Sequence, residues 1–122
     1  MKLKLSEVLN AKEPLGVIIT SPISVTVAYK LIPTIDAVEK AINDFDKVRI
    51  AKVHQYGDTK DGKTEVLPKN MKAFLDEINP LYEQEVELPD YQISLKMLAE
   101  KNIEITATDL KHIQLLINDD TN

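Results

Sequence analysis

The sequence predicts a mainly helical α+β domain: a long antiparallel helical hairpin with a small β element and a C-terminal helix. Three observations carry that class. Apolar residues recur at steps of three and four through Ala28, Leu31, Ile35, Val38, Ile42, Phe45, Val48 or Arg49, and Tyr56, the one-sided stripe of a long amphipathic helix. A second stripe of Met71, Phe74, Leu75, Ile78, Leu81 and Tyr82 follows the Asp61-Gly62 turn, and two apolar-faced helices joined by a short connection pack antiparallel. From Glu85 the period drops to two, as in short extended segments.

In chain order, Met1-Lys2-Leu3-Lys4-Leu5 carries two lysines but runs into Ser6-Glu7 instead of an apolar core, so it is not a signal peptide. Ser6 offers a cap for a short first helix with Leu5, Val8 and Leu9 on one side. Pro14 and Gly16 are expected to end or bend that helix, leaving the β-branched run Val17 to Thr20 as either a strand or a buried last helical turn. Ser21-Pro22 signals a turn, and Ser24 caps the long helix in preference to an alternating strand over Ile23 to Val27. Pro33 removes the amide that would bond to Tyr29, which predicts a kink there or a restart at Thr34.

Gly57 stops the long helix, and Asp58 to Lys63 reads as a polar loop around the Asp-Gly turn, with Thr64 to Leu67 briefly extended. The second helix is predicted from about Lys69 to Gln84, with Pro80 kinking it or splitting off its last turn. Glu85 to Leu88 and Tyr91 to Leu95 alternate as extended pieces that pair in a small hairpin or with Val17 to Thr20. Lys96 to Lys101 gives one helical turn. Thr106 and Asp109 have capping-box spacing ahead of a final helix from Ala107 to about Asn118, with Leu110, Ile113, Leu116 and Ile117 inward and Asp119 to Asn122 fraying.

The 122 residues suit one domain, and a chain of this size buries roughly two-thirds of its unfolded surface without staples. Apolar residues are 43% and charged residues 29%, ordinary globular usage. With only 5% aromatics the core must rest on Ile, Leu and Val. There is no Cys, which removes disulfides, thiolate metal sites and cysteine nucleophiles, and an intracellular, cytoplasmic setting is the expectation. The longest apolar cluster, Leu15 to Ile19, is far short of the roughly 20 residues needed to cross a bilayer.

Chemistry-bearing patterns are few. The two histidines, His54 and His112, are isolated in their helices, each with a single acid at helical spacing, Asp58 just past the end of one helix and Asp109 in the other, so neither reads as a ligand or a general base. The acidic loop at Asp58 and Asp61 fails as a calcium site, because Lys60 takes the place of a ligand and no Glu closes a twelve-residue loop. Gly16, Gly57 and Gly62 form no phosphate-cradling motif. No catalytic residue, cofactor, metal or small-molecule substrate is assigned, and the protein is expected to be non-enzymatic. A net charge of -5 opposes general attraction to nucleic acid. The local exception is a basic set around the hairpin tip, Lys47, Arg49, Lys52, Lys60, Lys63, Lys69 and Lys72, which forms the competing nucleic-acid reading.

The order of features resembles small helical proteins of tailed bacteriophages and prophages whose function is not established. The features are the long helix ending in Tyr56-Gly57-Asp58, the Asp61-Gly62 turn, Asn70 and Phe74, then Glu85-Val86-Glu87-Leu88, Ile93-Ser94-Leu95 and Thr106 to Leu110. What that resemblance implies is a phage setting, in host cytoplasm or virion, and a role in particle assembly, as a minor structural component, or in binding a host factor through the acidic surface. The residues themselves point to a protein partner or self-association. A helix of roughly 50 Å outruns the interior of a small domain, leaving part of its stripe near Val48, Val53 and Tyr56 for another surface.

Overall fold

The computed structural model describes residues 1–119. A three-residue strand β1 (Lys2–Lys4) leads directly into α1 (Leu5–Ile19). Val8, Ala11, Leu15 and Ile18 follow each other at helical spacing and are almost wholly buried. The cap differs from expectation. Lys4, not Ser6, is the N-cap, and the Glu7 carboxylate reaches back to accept the Lys4 amide at 2.9 Å. Nor does Pro14 end the helix. Its missing donor costs one backbone bond, but its ring is fully buried in the same apolar face, and Leu15 and Ile18 beyond it are buried too. Tertiary burial thus decides what the local sequence left open, and Val17 to Ile19 are the last helical turn. Beyond it the Thr20 hydroxyl donates to the Gly16 carbonyl at 2.7 Å and the Ser21 hydroxyl to the Val17 carbonyl at 2.6 Å, which satisfies the helix end before Pro22.

Helix α2 (Val25–Tyr56) is the longest element, capped as predicted by Ser24, whose hydroxyl accepts the Val27 amide at 3.3 Å. It continues through Pro33 without a restart. The proline stands on the exposed side, between Leu31 and Thr34 on the buried side, so packing spans the lost hydrogen bond. The buried residues are confined to the middle of the helix: Leu31, Thr34, Val38, Ile42 and Phe45. Neither the first turns nor the stretch from Asp46 to Tyr56 contains a buried residue.

Beyond Tyr56 the expected polar loop is a β-hairpin, β2 (Gly57–Lys60) with β3 (Lys63–Val66), in register from Gly57 opposite Val66 to Lys60 opposite Lys63. Asp61 and Gly62 both take positive φ, 54° and 78°, the turn whose twist matches its strands. Gly57 is required by proximity. A Cβ there would collide with the carbonyl oxygens of Val53 and Glu65, although its own backbone is extended. The second helix is shorter than predicted. A 3-10 turn at Pro68–Asn70 opens α3 (Met71–Ile78), and Pro80 lies in a further 3-10 segment, Asn79–Glu83. The two arms are antiparallel: Glu77 meets Lys52 near the far end of α2 while the ring of Tyr82 meets that of Phe45, centroids 5.4 Å apart.

The extended segments pair neither with each other nor with Val17 to Thr20. Strand β4 (Glu85–Glu87) lies antiparallel to β1, with Leu3 opposite Val86. The inward side buries Leu3. The outward side sets lysine against glutamate, Lys2 3.8 Å from Glu85 and Lys4 2.9 Å from Glu83. Strand β5 (Ile93–Ser94) runs parallel to β6 (Ile117–Asn118), the crossover holding α4 (Leu95–Glu100) and α5 (Ala107–His112). Thr106 caps α5 by accepting the Asp109 amide at 3.1 Å, but this final helix stops at His112 instead of running to Asn118. A 3-10 turn and β6 follow it, because the pairing with β5 draws the chain straight. The fraying predicted for Asp119 to Asn122 falls mostly on residues 120–122, outside the described residues.

The main core joins Leu3, α1, the middle of α2, Leu88, Ile93, Leu98, Ile113 and Leu116. A smaller cluster of Leu5, Phe45 and Ile78 lies under the antiparallel arms. The fold is mainly helical with small sheets, and α1 stands between α2 and α5.

Candidate interaction surface

The side chains that α1, α3 and the hairpin leave uncovered on α2 define its outward face. Counting 100° per residue, Val25, Tyr29, Ile32, Asp36, Asn43, Lys47 and Ile50 fall within about 60° of one another. All seven are exposed. Val25 is 86% exposed, Tyr29 75%, Ile32 47% and Ile50 49%, large values for apolar side chains on a helix. At the start of α2, Ile19 and Ile23 from the α1–α2 elbow join Val25, Tyr29 and Ile32 around an open groove whose lining is largely apolar. The groove lies where the Ser21-Pro22 turn joins α1 to α2, and it is flanked by the buried stripe that begins at Leu31.

The three residues expected to face a partner do not form one patch. Val48 is exposed, beside a groove it shares with Phe45, Leu81 and Val86. Val53 sits about 140° around the helix from Val48 and is half-buried, its carbonyl against Gly57. Tyr56 is engaged within the chain. Its carbonyl accepts the Leu67 amide at 3.1 Å and the Asn70 side-chain amide at 3.0 Å. Its hydroxyl hydrogen-bonds the Glu77 carboxylate, which raises the phenol above its ordinary range and lowers Glu77, with Lys52 lowering Glu77 further.

The basic set is likewise divided. Lys52 lies 3.3 Å from Glu77, and Arg49 3.6 Å from Asp46. Lys47 is exposed on the outward face and Lys72 on α3. Lys60 and Lys63 face each other across the hairpin tip, but Asp58, Asp61 and Glu65 line the same surface. Lys69 follows in the 3-10 turn, exposed. These charges make an alternating surface instead of a continuous positive stripe.

Among the described residues no three His, Asp or Glu side chains converge as a metal-binding group, and no helix is long and apolar enough to cross a membrane. The exposed residues at the head of α2 carried a readable sequence signal. Val25, Tyr29 and Ile32 stand at i, i+4 and i+7, a second apolar stripe beside Ala28, Leu31 and Ile35, and one domain core uses only one of the two. No family model, curated protein or solved structure matches the chain.

Proposed function

We propose that this chain is a small non-enzymatic protein that works by protein–protein association, with the outward face of α2 as its contact surface. The observation that carries the reading is the contiguous exposure of Val25, Tyr29 and Ile32 beside Ile19, with the exposed polar residues Ser24 and Asp36 before and after them on the chain. Exposed apolar residues clustered inside a polar rim mark interaction sites, whereas isolated ones need no explanation. The finer reading is a particle-assembly or minor structural factor of a phage, and the resemblance of the sequence to phage and prophage proteins is its support.

The test is a pull-down with tagged protein under a high-salt wash, run beside the triple variant Val25→Ser, Tyr29→Ser, Ile32→Ser. A partner captured by the parent chain and lost from the variant is the expected result. Capture indifferent to the three substitutions would overturn the assignment of the surface. Virion proteins among the lost partners support particle assembly, and a host protein in their place supports a host-directed factor. Salt-dependent retention on DNA or RNA that disappears with Lys60→Ala and Lys63→Ala would replace association with nucleic-acid binding.

A further inference from the structure

The outward face of α2 is complementary to its own reverse. Read from the N-terminus it runs apolar at Val25, Tyr29 and Ile32, acidic at Asp36, uncharged at Asn43, basic at Lys47 and apolar again at Ile50. We propose that a second copy of the chain docks on this face, α2 against α2, antiparallel about a two-fold axis near the middle of the helix. The proposal rests on the association reading above and names the partner.

The register follows from the spacing. Setting Ile32 opposite the second copy's Ile50 brings two half-exposed isoleucines together at each end of the contact. The same alignment sets Asp36 one residue from Lys47, with the directly opposed Asp46 neutralised by Arg49. Near the axis, at Ala41, Asn43 lies opposite the second copy's Glu39, and Lys40 comes within two residues of its counterpart with its charge held by Asp44. An isologous contact repeats each pairing twice, so the two apolar ends and the two ion pairs are made together. A parallel arrangement would stack Asp36 on Asp36 and Lys47 on Lys47, which disfavours it. Among the described residues neither Asp36 nor Lys47 lies within ion-pair distance of an opposite charge, Lys47 acting on Asp44 only at longer range, in contrast to Lys40, which holds Asp44 at 2.7 Å, and Arg49, which holds Asp46. The apolar ends supply the affinity. The exposed charges supply direction and register.

Sedimentation equilibrium on the full chain over a wide concentration range reads this out. A mass of two chains that dissociates on dilution is expected. Ile32→Glu weakens it by at least about tenfold, the change that 1.4 kcal/mol corresponds to. Asp36→Lys weakens it and the added Lys47→Asp restores it, with circular dichroism confirming that these surface variants stay folded. The chain has no cysteine, so single introductions report register cleanly. A mixture of Ile32→Cys and Ile50→Cys chains should oxidise mainly to the mixed dimer. A monomer at every concentration, a dimer indifferent to Ile32→Glu, or preferential cross-linking of Ile32→Cys to itself would overturn the proposal. A monomer that still loses a foreign partner in the triple serine variant would sink this inference alone and leave the association reading standing.

Discussion

Thr34 is the one buried side chain among the described residues whose polar atom finds no hydrogen-bond partner: 1% exposed, on the core face of α2, with an unsatisfied hydroxyl. A hydroxyl brought out of water without a partner costs about 1–3 kcal/mol, and valine has nearly its shape. Thr34→Val is therefore expected to stabilise the protein by about 1 kcal/mol, measured as a higher urea midpoint at unchanged slope, and a lower midpoint would contradict the account. At this scale the sequence is a mixed guide. The hydroxyl of Ser24 and that of Thr106 announce themselves as caps because the group each satisfies lies three residues away. Tyr56 does not, since its partner Glu77 lies on another element and only the folded chain brings the two together.

Among elements, the same substitution has opposite consequences at two glycines. Gly16 lies inside α1 with nothing within 4 Å of where a Cβ would stand, so Gly16→Ala removes only the entropic penalty of glycine in a helix. The expected gain is about 0.5–1 kcal/mol by thermal or urea unfolding. Gly57 joins α2 to β2 at a point where backbone closes on backbone, and Gly57→Ala is expected to cost about 1–3 kcal/mol because Val53 or the Glu65 strand must move. Equal effects at the two sites would refute the packing assigned to the hairpin. What the sequence disclosed at this scale was governed by local periodicity: α2, its cap, the Asp61-Gly62 turn and the start of α5. What it concealed depended on distant partners. The strand Lys2-Leu3-Lys4 is too short to stand out, and its alternation of lysine with leucine acquires meaning only beside Glu85-Val86-Glu87. Likewise, α1 runs past Pro14 because the rest of the core has a place for its far turn. The outward stripe of α2 was present in the sequence at i, i+4 and i+7, but the longer buried stripe masked it.

For the whole molecule, acid should act through carboxylates held in their charged form. The Tyr56 hydroxyl and Lys52 hold Glu77 below its ordinary value of 4.5, and Lys40 holds Asp44 below 3.8. A carboxylate whose folded-state pKa is depressed stabilises the fold above its unfolded value, and that contribution fades as pH falls through the folded one. The phenol of Tyr56 is raised above 10.0, so its contribution is complete below that value and is lost on further alkalinisation. The melting temperature should therefore be insensitive to the Tyr56–Glu77 bond between pH 4.5 and 10.0 and decline in more acid solution. Glu77→Gln should make the acid decline shallower, and an identical profile for the variant would rule the pair out as a contributor. The pairing of β1 with β4 has a consequence in time. Leu3 waits for Val86, and α1 waits for Leu88, Ile113 and Leu116 to cover its face. A chain leaving the ribosome at about 5–20 residues per second therefore carries α1 only partly covered for several seconds, and the core closes once Leu116 has emerged.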